Sequence, residues 1–291
     1  HYAGVKYTMT AFPGKNGMQS TTLSDVYADG VFYDRWESND NQTQNSKPRH
    51  RLNAYYNGKF GELNVDFNSD FYRSSQSTAS SITESSQEYD DRVITSDNRI
   101  KNRLFATRLV LSYPVWEGQL SAGNEFTRTR RDDDYTTDIQ GIPSTNTSIH
   151  DENNAFFAEY SRSTPIGQLT GGVRFEKVYS DYFSDGEKMD EQSRHYAHWF
   201  PNFSYSNTLG GVQLQLSYTA KTVRPAYWQL GSSIFYANRF TMQTGNPFLK
   251  PTIIHDASLT GSWKYLQLMV SYKQERDVIM QWATQMKRIP P

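Results

Sequence analysis

Val212-Gln-Leu-Gln-Leu-Ser-Tyr-Thr-Ala220 and Tyr265-Leu-Gln-Leu-Met-Val-Ser-Tyr272 alternate between apolar and polar residues. Between them run Val223-Arg-Pro-Ala-Tyr-Trp-Gln-Leu230 and Phe240-Thr-Met-Gln-Thr-Gly-Asn-Pro-Phe-Leu-Lys-Pro251. A period of two sends one set of side chains to each face of a strand. A long aromatic connection, punctuated by Pro and Gly, between two such strands fits a membrane-spanning β-barrel with long loops on one side.

The alternation recurs. In Leu63-Asn-Val-Asp-Phe-Asn-Ser-Asp-Phe71 the apolar set is Leu63, Val65, Phe67 and Phe71, against Asn64, Asp66, Asn68 and Asp70. Leu169, Val173 and Phe175 oppose Thr170, Arg174 and Glu176. Phe156, Ala158 and Tyr160 form a further set. Short turns are expected at Asn57–Gly61, Pro114–Gly118, Thr164–Gln168, Asn207–Gly211 and Trp263–Tyr265. Long polar loops are expected at roughly 11–47, 74–100, 131–150, 181–194 and 224–250. Ser74–Ser86 reads as a flexible loop. Val26–Arg35 (around Asp29-Gly30) and Glu88–Ile94 are candidate hairpins within loops. The fold class is therefore all-β: an antiparallel up-and-down transmembrane β-barrel. About 11 spanning strands are expected, from Ala3–Thr10 to Tyr265–Trp282.

Composition narrows the function classes. The 291 residues hold no cysteine, which excludes a disulfide scaffold and a thiolate metal site. A formal net charge of -1 gives no basic stripe for nucleic acid. Aromatic residues make up 14% of a chain only 36% hydrophobic, the balance of a polar lumen with aromatic girdles. Tyr55, Tyr56, Phe60, Tyr113, Trp116, Trp263 and Tyr265 flank expected short turns and are girdle candidates. No run approaches the roughly 18 apolar residues of a spanning helix.

Several motifs in order resemble one family. Asn53-Ala-Tyr-Tyr-Asn-Gly-Lys-Phe-Gly-Glu-Leu63 is a hairpin of its type. Gly171-Gly-Val-Arg-Phe-Glu176, Phe200-Pro-Asn-Phe-Ser-Tyr205, Arg224-Pro-Ala-Tyr227 and Gly245-Asn-Pro-Phe-Leu-Lys-Pro251 follow. Together they resemble the outer-membrane β-barrel of TonB-dependent receptors, in the form common in Bacteroidetes. The resemblance implies a barrel of about 22 strands with a plugged lumen. Residues 1–291 would then be a partial barrel without plug domain, TonB box or C-terminal strands. His1 and Ile289-Pro-Pro291 read as internal points of a longer protein. The resemblance further implies the bacterial outer membrane as location and the lipid bilayer as surroundings. It implies a TonB complex acting through the plug, and a scarce nutrient as cargo: a siderophore or other iron chelate, a cobalamin, a peptide or a glycan.

Candidate contacts to substrate or plug are Arg224, Tyr227, Trp228, Tyr236 and Arg239, because aromatic faces and guanidinium groups suit sugars and chelates alike. Pro225 is expected to end strand pairing, and Gly245-Asn-Pro to form a turn with Gly245 at positive φ. Glu159, Arg174 and Glu176 are candidates for a charge network facing the lumen. Asp132 and Asp134 share a face, but Arg130-Arg-Asp-Asp-Asp134 reads as a solvated run. His195 and His198 fall on opposite faces, so neighbouring histidines make no metal site. No nucleophile–base pair or cofactor motif emerges, and an enzyme is not expected. The rival readings are a passive porin-like or adhesin barrel and a soluble all-β carbohydrate-binding module.

Overall fold

The computed structural model describes residues 1–12 and 14–284. In chain order the strands are β1 (Tyr2–Thr10), β2 (Asn16–Ala28), β3 (Val31–Ser46), β4 (Arg49–Phe60), β5 (Leu63–Ser85), β6 (Arg92–Val115), β7 (Gly118–Thr137) and β8 (Thr145–Thr164). They continue with β9 (Gly167–Ser184), β10 (Glu187–Lys188), β11 (Arg194–Leu209) and β12 (Val212–Val223). After the one-turn helix α1 (Tyr227–Leu230) come β13 (Ile234–Asn238), β14 (Thr241–Thr244), β15 (Thr252–Trp263) and β16 (Leu266–Arg276). One 14-stranded antiparallel sheet runs β1-β4-β5-β6-β7-β8-β9-β11-β12-β15-β16, with β2, β3 and β10 attached at its sides. Its main path follows chain order, the up-and-down pattern, and β1 does not pair with β16. No helix among the described residues is long and apolar enough to cross a membrane.

Five tight turns lie at one end of the sheet, four at the expected places and the first at Gly61-Glu62, because Asn57–Phe60 of the expected Asn57–Gly61 turn are still paired strand. Trp116 and Glu117 take φ of 47° and 60°, and Gly210 and Gly211 take 57° and 84°. Both pairs follow the hairpin turn whose twist matches the strands. Without glycine, the first pair costs about 1–2 kcal/mol per residue.

The two faces differ as the alternation requires. Register aligns Tyr56, Phe67, Leu109, Asn124, Phe156, Phe175 and Trp199 in one row across seven strands. This row is the outer face, with Phe156 55% and Trp199 66% exposed. Asn124 is its polar exception, and its amide donates to Asn154 Oδ1 at 2.7 Å. An exposed apolar band of this extent is costly in water and matched in lipid. The inner face is polar: Asn53 Nδ2 donates to Asn68 and Asp70, and Asn57 Nδ2 to Asp66. Tyr55, expected in a girdle, pairs with Gly4 on this inner face.

The expected long loops are mostly strand. Segment 11–47 holds the β2–β3 hairpin, turning at Asp29-Gly30. The Ser-rich 74–86 stretch is ladder-paired to β6 through Glu84, not a flexible loop. Glu88–Ile94 is no separate hairpin, because residues 86–91 simply join β5 to β6. Alternation fails to reveal these extensions for a physical reason. Beyond the bilayer both faces meet water, so period two carries no hydropathy contrast. The last strand ends at Arg276, short of the expected Trp282. Ile289–Pro291 lie outside the described residues.

Candidate functional site

Segment 224–251 leaves β12 and folds onto the inner face. Pro225 follows the strand end and cannot donate to a ladder. Gln229 then closes the one-turn helix: its backbone N–H bonds Ala226 O at 2.9 Å, and its side chain accepts from Ala226 N at 2.7 Å. Gly245 packs against this turn. A Cβ there would meet Gly231 O at 2.5 Å and Gln229 O at 2.6 Å. Close backbone approach, rather than the expected positive φ, is what requires glycine here. Asn246 N donates to Gln229 O at 2.6 Å, and Asn246 Oδ1 accepts from Phe248 N at 2.9 Å.

Two anchors hold the segment to the wall. At the first, the Tyr227 hydroxyl donates to Asp151 Oδ2 at 2.7 Å, and Leu230 packs on Ile149 and Tyr182. Burial, then the Asp151 charge, raises the Tyr227 hydroxyl above its ordinary pKa. At the second, the β13–β14 hairpin reaches β5, six strands along the sheet from β12. Glu84 is 0% exposed. It accepts from Tyr236 OH at 3.0 Å on both oxygens, Arg239 N at 2.7 Å, Ser38 Oγ at 3.2 Å and Arg92 Nε at 2.7 Å. Burial, then the Glu84 charge, raises the Tyr236 hydroxyl as well. The Arg239 guanidinium lies 4.5 Å from the Trp36 ring centroid and 5.2 Å from that of Tyr89. Between the anchors, Thr145 and Ser233 hydroxyls meet at 2.7 Å, and the Phe235 ring sits edge-on to Tyr135 at 4.9 Å.

Below the first anchor, charges alternate across the inner face. Arg108 Nε meets Glu125 at 2.9 Å and Arg174 Nη1 meets it at 2.6 Å. Arg174 Nε then reaches Glu176 at 2.7 Å, and Arg224 Nη2 closes the ladder on Glu176 at 2.9 Å. Each carboxylate sits between two guanidinium groups, which offsets the cost of burying Glu176, only 7% exposed. Glu159 shares this face but accepts from Asn202 at 3.2 Å instead of joining the ladder. A cavity of about 190 Å³ lies beside the first anchor, lined in part by Asp151, Asn153, Arg194, Tyr196 and Arg224. Asp151 Oδ1, Asn153 Oδ1 and Arg194 Nε are buried without a partner among the described residues.

Of the expected contact residues, Arg224, Tyr227 and Tyr236 thus bond the wall, and Arg239 stacks on Trp36. Trp228 remains 52% exposed. No group of metal-ligating residues forms among the described residues.

The description "Outer membrane protein beta-barrel family" matches residues 57–288. The chain belongs to this family. Its place is the bacterial outer membrane, and a soluble carbohydrate-binding module is overturned by the family and by the outer apolar band. Among curated proteins no sequence matches. Among solved structures the chain is similar to the copper transporter OprC, at 14% identity and TM-score 0.43, over 89% of this chain and 48% of that one. It is similar to the ferric-catecholate import receptor Fiu from E. coli, at 11% and 0.48, over 90% and 51%. The alcaligin outer-membrane receptor FauA from Bordetella pertussis gives 10% and 0.41, over 95% and 51%. The chain spans about half the length of these receptors.

Glu84, Arg92, Trp36, Glu125, Arg108 and Asp151 were not singled out in the sequence. One signal was available: Ile82-Thr-Glu84 and Arg92-Val-Ile94 mirror each other about residue 88, as facing strands with one inward row do.

Proposed function

We propose that this chain is part of the barrel of a TonB-dependent outer-membrane receptor that imports a scarce nutrient. The observation that carries the reading is the inward fold of segment 224–251, tied at two anchors across the inner face. A passive pore works by leaving its lumen open, whereas here a segment is held across the inner face by hydrogen bonds to Asp151 and to the buried Glu84. The cavity beside Tyr227 and the exposed Trp228 offer contacts to cargo or to a plug, with Arg224 positioned by Glu176 at the cavity edge. Cargo of the siderophore, cobalamin, peptide or glycan class suits this mixture of aromatic faces and guanidinium groups.

Conductance of the whole protein in a planar bilayer tests the reading. A receptor stays closed at rest, and its cargo enters cells only while the inner membrane is energised. A steady open conductance, or uptake indifferent to a protonophore, would identify a passive channel instead.

A further inference from the structure

We infer that the cavity beside Tyr227 binds a group the size of one amino-acid residue, with an ammonium next to a carboxylate or carbonyl and an apolar side chain. Such a group comes as a free amino acid or as the N-terminal residue of a peptide. Register builds the floor of the cavity from neighbouring rows of the inner face. Asp151, Ser180 and Arg194 lie in one row across β8, β9 and β11, and Asn153, Val178 and Tyr196 lie in the next. Segment 224–251 covers them, with Leu230 and Pro251 among its apolar parts.

Three polar atoms carry the inference. Asp151 Oδ1, Asn153 Oδ1 and Arg194 Nε are buried without a hydrogen-bond partner among the described residues. Leaving such a group unmet is costly, most of all for a charge. The covering segment holds the other side of each charge. The Tyr227 hydroxyl donates to Asp151 Oδ2 at 2.7 Å, and Arg194 Nη1 donates to Leu249 O. Carboxylate and guanidinium thus stand two strands apart, roughly 9.6 Å between backbones, each with one atom unmet. An ammonium donates to Asp151 Oδ1 and Asn153 Oδ1, which share a strand face two residues apart. The carboxylate or carbonyl beside it accepts from Arg194 Nε, and Val178, Leu230 and Pro251 receive the apolar side chain. Opposite charges at the two sides favour this group over a neutral sugar, and the guanidinium repels a metal cation. Size sets the limit. A cavity of about 150 Å³ holds benzene, so about 190 Å³ admits one residue and not a cobalamin or a whole iron chelate. As cargo, this ligand rests on the receptor reading; as a bound group, it rests on the cavity alone.

The test is equilibrium dialysis of the whole protein in neutral detergent against four tritium-labelled probes: L-leucine, leucyl-glycyl-glycine, N-acetyl-L-leucine and glucose. Leucine or the tripeptide binds, and the tighter of the two identifies the source as free amino acid or peptide terminus. Acetylation removes the ammonium and weakens binding about tenfold or more. Asp151→Asn keeps an acceptor for Tyr227 and weakens binding about tenfold, and Asn153→Ala, which touches neither anchor, about fivefold. Where a variant melts early, the acetylated probe on wild type carries the same test. Binding of neither leucine nor tripeptide, equal affinity for N-acetyl-leucine, or unchanged binding in both variants overturns the proposal. Glucose bound as tightly as leucine overturns it in favour of a sugar site. The bilayer measurement is independent: an open channel that still binds leucine sinks the receptor reading alone, and a closed one that binds neither probe sinks this site alone.

Discussion

Tyr236→Phe removes one hydroxyl from the second anchor and leaves the ring in place. That hydroxyl donates to both oxygens of the buried Glu84. A hydrogen bond to a charged group contributes about 1.5–3 kcal/mol. Glu84 keeps Arg92, Ser38 and the Arg239 amide, so the low end applies, about 1.5–2 kcal/mol. The β13–β14 hairpin is a separate sheet with no ladder to the wall. The loss therefore falls on the hairpin's docking, not on the barrel, whose strands open only at much higher free energy. The Arg239 amide, bonded to Glu84 at 2.7 Å, reports the docking directly. Hydrogen–deuterium exchange in detergent micelles should show residues 234–244 exchanging about 10- to 30-fold faster in the variant, with β5 to β9 unchanged. Equal exchange in both proteins would refute the second anchor. Faster exchange throughout the strands would refute the separation of hairpin from barrel.

Other consequences follow from the same geometry. Gly245→Ala presses a methyl group into the Gln229 and Gly231 carbonyls and should loosen the first anchor by about 1–3 kcal/mol, seen as faster exchange over 226–231. Arg174→Ala strips Glu125 and Glu176 of their shared partner. It should destabilise the barrel by about 2–3 kcal/mol in urea titrations, while Lys177→Ala on the outer face costs little. Tyr227 and Tyr236 titrate above their ordinary value, so both anchors keep their full strength below about pH 10 and lose it as pH rises further. Ultraviolet titration of the 20 tyrosines should show a late phase that Tyr227→Phe and Tyr236→Phe each reduce.

Legibility in the sequence followed contrast between the two strand faces. Where lipid meets one face and a polar lumen the other, as from Leu63 to Phe71, alternation gave strand, facing and the neighbouring turn. Above the bilayer, from Ser74 to Glu84, the contrast vanishes and continuous strand read as loop. The Arg224 to Pro251 motifs marked the segment that folds onto the inner face, and the Arg174–Glu176 pairing followed from their shared face. The contacts of Tyr236 with Glu84 and of Tyr227 with Asp151 could not follow, because each joins residues far apart in the chain across several strands, and only the fold sets that distance. Gly245 was legible as a required glycine but for another reason, since backbone crowding leaves no mark in a single sequence.

The central claim, that segment 224–251 bridges the inside of the barrel in the membrane, can be tested by cross-linking. The chain contains no cysteine, so Thr145→Cys with Ser233→Cys introduces a single pair at positions whose hydroxyls lie 2.7 Å apart. Oxidation of intact outer membranes carrying the double variant should join the two thiols, detected as a faster-migrating, reductant-sensitive band absent from either single variant. A double variant whose thiols both remain free to alkylating reagent under the same oxidation would contradict the account.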